Sequence, residues 1–275
     1  MDGLKTKEDR RFQTFWVIFF ILISVIAIIP VLRVISISFS GRDAINKGQV
    51  FIFPIGFNVD AYAKALKSGT FVSSFGYSII LMAVVTAVDM IMTILLAYPL
   101  SRKGLKGSKI VNLFCVITMY LNLGTIPNYL NIKSFGMIDT VWALIIPGAL
   151  SVYNMIIMRT AFASIDDSLY EAARIDGLSE VRIFFQMFIP TMKSTYAAAA
   201  VITFMNAWNA YLWPKVIMTD NKALTMPMLI ANLITGYVTD YGMLMCGVLF
   251  CSIPTMIVFF VLQKQFAEGI TGAVK

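Results

Sequence analysis

Six stretches of the chain, 14–36, 71–100, 110–130, 141–158, 195–213 and 242–262, are built almost entirely from apolar residues. A helix needs about 20 such residues to cross the hydrocarbon core of a bilayer. Of the 275 residues, 59% are hydrophobic and only 13% charged, whereas a soluble domain is about 45–50% apolar and about 25% charged. A soluble chain of this length could not cover its surface with so few polar groups. A soluble enzyme, a disordered tail and a secreted disulfide scaffold are therefore excluded. The first stretch is longer than the core of a signal peptide, and no small-residue cleavage site follows it, so it is expected to stay as a span.

Six spans place both termini on one side, and the basic residues choose that side. With the N-terminus inside, the inner segments hold Lys5, Lys7, Arg10 and Arg11, then Arg102, Lys103, Lys106 and Lys109, then Arg159, Arg174, Arg182 and Lys193, and finally Lys264 and Lys275. The outer side keeps Arg33, Arg42, Lys47, Lys64, Lys67, Lys133, Lys215 and Lys222. Both termini are expected in the cytoplasm. The net charge of +7 then records topology and calls for no nucleic acid. The expected division is a cytoplasmic N-terminal segment, 1–13, a transmembrane domain, 14–264, and a cytoplasmic tail, 265–275.

The chain has no histidine, so imidazole metal sites and histidine proton relays are absent. Its three cysteines, Cys115, Cys246 and Cys251, sit in apolar surroundings, where cysteine usually acts as a small hydrophobe. No G-x-x-x-x-G-K-[ST] phosphate loop occurs, so the chain is not expected to cradle ATP and no cofactor is assigned to it.

The inner segment at about 164–190 is the most polar part of the second half and reads SIDDSLYEAARIDGLSEVRIFFQMFIP. Ser168-x-x-Glu171 has the form of a capping box at a helix start. Asp166 and Asp167 would complement the positive end of that helix. Leu169, Ala172 and Ala173, with Ile175 and Leu178, would form its apolar stripe. Gly177 stands where a left-handed cap would end it. A second short helix is expected over 179–188, with Pro190 in the first turn of the fifth span. The pattern alone suits either a docking helix for another protein or an interfacial helix lying on lipid headgroups.

EAARIDG, followed after nine residues by Met187-x-Ile189-Pro190, resembles the EAA motif of bacterial ABC importer permeases, with departures at Met187 and Ile189 where that family has Ile and Leu. AYPLSRKGLKG after the second span, the run Trp208-Asn209-Ala210-Tyr211-Leu212-Trp213-Pro214, and the ending LQKQFAEGITGAVK are similar to maltose-permease-like carbohydrate importers. The stretch IPNYLNIKSFGMIDTVWALIIPGALSVYNMIIMRTAF is similar to the subgroup handling complex or acidic oligosaccharides. The resemblance implies an all-α membrane protein of six transmembrane helices with the type I ABC importer permease (MetI-like) fold, in the bacterial cytoplasmic membrane. It implies that Ser168, Leu169, Glu171, Ala172, Ala173, Arg174, Asp176 and Gly177 form a coupling helix that docks on an ATPase. The implied partners are a second permease subunit in a heterodimer, two ATP-binding subunits holding ATP and Mg, an extracytoplasmic solute-binding protein, the lipid bilayer and an oligosaccharide. The C-terminal tail of such permeases reaches the ATPase interface; a frayed terminus is the plain alternative.

Polar residues inside spans usually face the bundle interior or a water-filled path. Asn206 and Asn209, three apart on the fifth span, are expected to share a face. With Trp208, Tyr211 and Trp213 nearby they offer amides and rings to a sugar, or hydrogen bonds between helices; two of these rings suit an outer aromatic belt equally well. Tyr120, Asn122 and Asn128 flank Gly124 and Pro127, which should break the third span, as Pro147-Gly148 should the fourth, and broken helices often mark a substrate path. Asp89 lies in mid-span without a visible basic partner. It is either a packing group or the proton site of a secondary carrier. A permease of the same fold for amino acids or peptides is the other alternative. A membrane enzyme is disfavoured by the missing histidine and the lack of clustered acids or of a nucleophile with its base.

Overall fold

Apolar runs of this length satisfy their own backbone polar groups only as helices when water is absent. In the computed structural model every regular element among the described residues is helical. Those residues are 7–102, 104–121, 123–219, 224–234 and 239–272, with side chains described between 11 and 264. The order is α1 (Lys7–Ser38), α2 (Arg42–Asn46), α3 (Asp60–Lys67), α4 (Gly69–Ser101), α5 (Ser108–Tyr120), α6 (Thr125–Ser134) and α7 (Trp142–Ile145), which runs into a 3-10 turn at Ile146–Gly148. Then come α8 (Val152–Ala163), α9 (Asp167–Ile175), α10 (Glu180–Ile183), a π-helical segment (Phe184–Phe188), α11 (Ile189–Thr191), α12 (Lys193–Trp208), α13 (Leu212–Ile217), α14 (Met226–Ile234) and α15 (Tyr241–Gly272).

Three helices are long and apolar enough to cross a membrane unbroken: α1 over Arg11–Ser38, α4, and α15 over Tyr241–Lys264. The stretches over 110–130 and 141–158 are bent pairs, as the expected breaks imply. Helix α5 and helix α6 differ in direction by 118°, and α7 with its 3-10 turn differs from α8 by 44°. Gly124, at φ +86°, supports the first break because that backbone region favours glycine. Pro147 lies inside the second, where its missing N–H and fixed φ end the α ladder. The fifth stretch departs from expectation: α12 ends at Trp208, and α13 begins after a turn. At 16 residues α12 is about 24 Å long.

The chain divides into two compact units. The first comprises Met1–Val72 and Ile230–Ser252. None of the apolar window of α1 is buried; the helix turns inward only at its end, where Ser36 and Ser38 are buried. After α1 the unit is held by serine hydroxyls: Ser38 donates to the Ile35 carbonyl at 2.7 Å and shares a 2.8 Å bond with the Tyr62 hydroxyl, and Ser40 accepts the Ile55 N–H at 3.0 Å. Phe39 stacks on Tyr62 with centroids 4.6 Å apart. Arg42 and Lys64 both reach the Asp240 carboxylate. Burial would raise the pKa of that carboxyl; the bonds from Arg42 and the Met243 N–H outweigh it and hold it below its ordinary value.

The second unit comprises Ser73–Leu229 and Ile253–Lys275. Its core joins Ala97, Tyr98 and Leu100 of α4, Cys115 of α5, Met155, Met158 and Phe162 of α8, Ala173 of α9, and Ile183, Phe184, Phe188 and Ala199 from the run that follows. Aromatic edges do much of the packing: Tyr98 lies 5.6 Å from Phe162, 4.7 Å from Phe184 and 5.3 Å from Phe188, between ring centroids. Such pairs add about 0.5–1.5 kcal/mol each beyond the area they bury.

Candidate functional site

Two places in the second unit gather the residues singled out by sequence. The first is the loop built around α9. Its start differs from expectation. Asp166, not Ser168, is the N-cap: its carboxylate accepts the Ser168 N–H at 3.0 Å. The helix therefore begins before Ser168, and no capping box forms around that hydroxyl. The accepted N–H bond holds the Asp166 carboxyl below its ordinary pKa. The far end closes on Gly177 at φ +79°. The Leu178 N–H bonds the Ala173 carbonyl and the Gly177 N–H bonds the Arg174 carbonyl, both at 3.1 Å. This is the paired six-to-one and five-to-two pattern of a Schellman cap.

With both ends fixed, α9 presents a defined outer face. Only Ala173 is fully buried, and Tyr170 is half-buried. Ala173 thus leaves the apolar stripe expected from sequence and joins the core. Leu169, Ala172 and Ile175, at intervals of three, remain exposed, with Ile175 86% exposed. Glu171, Arg174 and Asp176 are exposed beside them. Apolar side chains held outward on a rigid, capped helix are suited to burial by another surface.

After α9 the chain is helical from Glu180 to Trp208, interrupted only at Met192. Pro190 sits in this run just after the π segment. A proline there supplies no N–H and its ring crowds the carbonyl of Gln186. Widening of the preceding turn into a π segment relieves that conflict. Pro190 therefore lies in a short helix ahead of α12 and not in the first turn of the fifth span.

The second place is a cavity of about 840 Å³. Asp89, Asn128 and Asn206 line it. The other proposed path residues do not. Asn209 caps α12 and donates to the Met205 carbonyl at 2.8 Å. Trp208 is buried, stacked 5.7 Å from Phe204 and set edge-on to Phe75. Tyr120 is 76% exposed and away from the cavity, and Asn122 lies outside the described residues. The wall also carries Asn131, Tyr153, Asn154 and Thr203, which sequence reasoning did not assign, and Trp213, one of the rings near the two asparagines. Trp213 gives its indole N–H to the Ala143 carbonyl at 3.1 Å.

Asp89 is 1% exposed. Its two carboxyl oxygens accept from the hydroxyls of Thr93, at 3.2 Å, and Thr203, at 2.7 Å. Each hydroxyl is itself an acceptor: Thr93 takes the Ser151 N–H at 3.3 Å and Thr203 takes an Asn154 amide N–H at 2.8 Å. The acid thus ties α4, α8 and α12 together through a chain of directed hydrogen bonds. Thr93, four residues on, could be found from helix periodicity. Thr203 could not, because nothing local links it to Asp89.

Comparisons with known proteins agree in one direction. The family described as "Binding-protein-dependent transport system inner membrane component" matches residues 74–272. Protein LplC of Bacillus subtilis (strain 168) is 31% identical over 98% of this chain and 97% of its own. The polygalacturonan/rhamnogalacturonan transport system permease protein YtcP of the same organism is 28% identical over 98% of this chain and 99% of its own. A chain in the crystal structure of a bacterial ABC transporter involved in the import of the acidic polysaccharide alginate superposes with a TM-score of 0.89 at 25% identity, covering 96% of this chain and 99% of that one.

Proposed function

The chain belongs to the family of binding-protein-dependent transport system inner membrane components, and from that premise we propose that it is a permease subunit of an ATP-driven importer that moves an oligosaccharide by alternating access. The sugar-polymer cargo named for YtcP and for the alginate transporter supports the carbohydrate class over amino acids or peptides. In this reading the chain crosses the bacterial cytoplasmic membrane six times, with both termini in the cytoplasm. Helix α12 with its preceding helical run supplies the fifth crossing, and the bent pairs supply the third and fourth. A second permease completes a heterodimeric pore, two ATP-binding subunits hold ATP and Mg, and an extracytoplasmic binding protein delivers the sugar. The chain itself catalyses no reaction and holds no cofactor.

The observation that carries this reading is the outward face of α9. Leu169, Ala172 and Ile175 are exposed among the described residues, and the caps at Asp166 and Gly177 keep them aimed. ATP closes the two cytoplasmic subunits, the docked α9 moves with them, and the spans turn to expose the cavity to the other side. Asn128, Asn206 and Trp213 on the wall suit a sugar, because amides hydrogen-bond hydroxyls and a ring packs against the apolar sugar face. A proton-coupled carrier working through Asp89 is disfavoured, since both oxygens of that group are engaged by hydroxyls. The test is Glu171→Lys. In cells expressing the intact importer, uptake of labelled galacturonan and arabinan trisaccharides should fall at least about tenfold while the variant inserts at the normal level. Unchanged uptake would refute docking through α9.

A further inference from the structure

Glu180, the first residue of α10, accepts two phenol protons. The Tyr98 hydroxyl donates to one carboxylate oxygen at 3.0 Å, and the Tyr170 hydroxyl to the other at 2.8 Å. Tyr98 lies near the end of α4, and Tyr170 is on α9. The same two rings, with Phe188, lie under the guanidinium of Arg102, at 5.6, 5.0 and 4.5 Å from its carbon to the ring centroids. Arg102 directly follows α4 and also donates to the Phe162 carbonyl at 3.4 Å. Among the described residues it makes no salt bridge. The acid and the base are therefore joined only through the tyrosines. A phenol that donates to a carboxylate gains electron density, which strengthens the hold of its ring on a cation.

This arrangement ties α9 and α10 to the end of α4, which the backbone connects to them only by a long path. Between Arg102 and Tyr170 the chain runs through α5, α6, α7 and α8, yet in space the end of α4 and the buried side of α9 share one carboxylate and one guanidinium. The planar guanidinium is the group suited to lie over several rings at once, and lysine is not equivalent.

We propose that Tyr98, Arg102, Tyr170 and Glu180 form a positioning clamp that makes α9 and the cytoplasmic end of α4 move as one body, so that a displacement of α9 reaches the second span. The proposal rests on the permease reading above and adds to it the route by which motion leaves the loop. It separates two quantities. Docking on the ATPase uses Leu169, Ala172 and Ile175 on the outer face of α9, and the clamp reaches that face at Arg174, which donates to the Tyr170 hydroxyl at 3.2 Å and keeps that bond when Glu180 is replaced. Loss of the clamp should therefore spare ATP hydrolysis and waste it.

The test uses the whole importer, reconstituted in proteoliposomes with its ATPase subunits and binding protein, and reads trisaccharide uptake and ATP hydrolysis together. Glu180 is exposed, so Glu180→Ala should insert normally. Its expected result is hydrolysis within about twofold of the wild type with sugar moved per ATP reduced about tenfold. Glu180→Gln, which keeps one acceptor, should recover part of that ratio, and Tyr98→Phe with Tyr170→Phe, which keeps every ring, should match Glu180→Ala. An unchanged ratio in Glu180→Ala would overturn the clamp while leaving the permease reading intact. A wild-type complex that neither imports nor hydrolyses in response to loaded binding protein would overturn both. A proportional fall in both activities would mark a merely structural role and would also overturn it.

Discussion

At the scale of single residues, Asp89 shows what a buried acid does here. Its carboxyl group is met by two hydroxyl donors, and each donor is oriented by an amide. Replacing it by leucine would strand the hydroxyl proton of Thr93, which is buried, and that of half-buried Thr203; an unmet buried polar group costs about 1–3 kcal/mol. Asparagine keeps one acceptor. Asp89→Leu is therefore expected to lower the thermal midpoint of the detergent-purified protein clearly, and Asp89→Asn less, with ATP-driven uptake retained in the latter. Complete loss of uptake in a stable Asp89→Asn would instead favour a proton-carrying role. The sequence exposes Asp89 as unusual because acids are rare in apolar spans. It does not disclose the answer, because Thr203 and Asn154 come from other helices. Trp208 teaches the reverse lesson. A tryptophan between two asparagines suggests a sugar platform, yet the helix phase turns it into the core beside Phe204.

At the scale of elements, α9 is legible in the sequence except for its first turn. The glycine at 177 announces the end, and the structure closes it there. Both Asp166 and Ser168 are good N-cap residues, so local chemistry alone does not choose between them; here Asp166 caps the helix. Because the folded protein lowers the Asp166 pKa, its contribution to stability is complete above the ordinary carboxylate range and is lost as pH falls through the depressed value. Asp166→Ala should thus expose the first-turn amides of α9 to faster hydrogen exchange than the wild type at pH 7. The difference should shrink as pH drops below about 3.9. Asp166→Asn should resemble the wild type at pH 7, since asparagine caps as well as aspartate. The bent pairs were legible at Gly124 and Pro147 as breaks, but the angles of 118° and 44° depend on packing that one segment cannot encode.

At the scale of the whole molecule, membrane chemistry makes the class plain and leaves the path obscure. Hydropathy reads long apolar runs well, because every span must satisfy its own backbone. It cannot read a cavity wall, whose residues come from α4, α6, α8, α12 and the segments beside them. Asn128 and Asn206 line it and Tyr120 does not, and nothing local in the sequence marks Thr203 as part of it. The π segment at Phe184–Phe188 bears on how such a chain can change length. A π turn accommodates one more residue than an α turn while the helix on either side keeps its facing. Removing Gln186, which is exposed, should let this stretch close to an α turn and leave α12 in phase, at the cost of a renewed clash at Pro190, so the shortened protein should insert at a reduced but substantial yield. Removing Ala198 from α12 turns everything beyond it by about 100°, and that protein should fail to accumulate in the membrane. Equal yields of the two would contradict this. The segment is then a join where insertions and deletions can be absorbed, ahead of a helix that tolerates none.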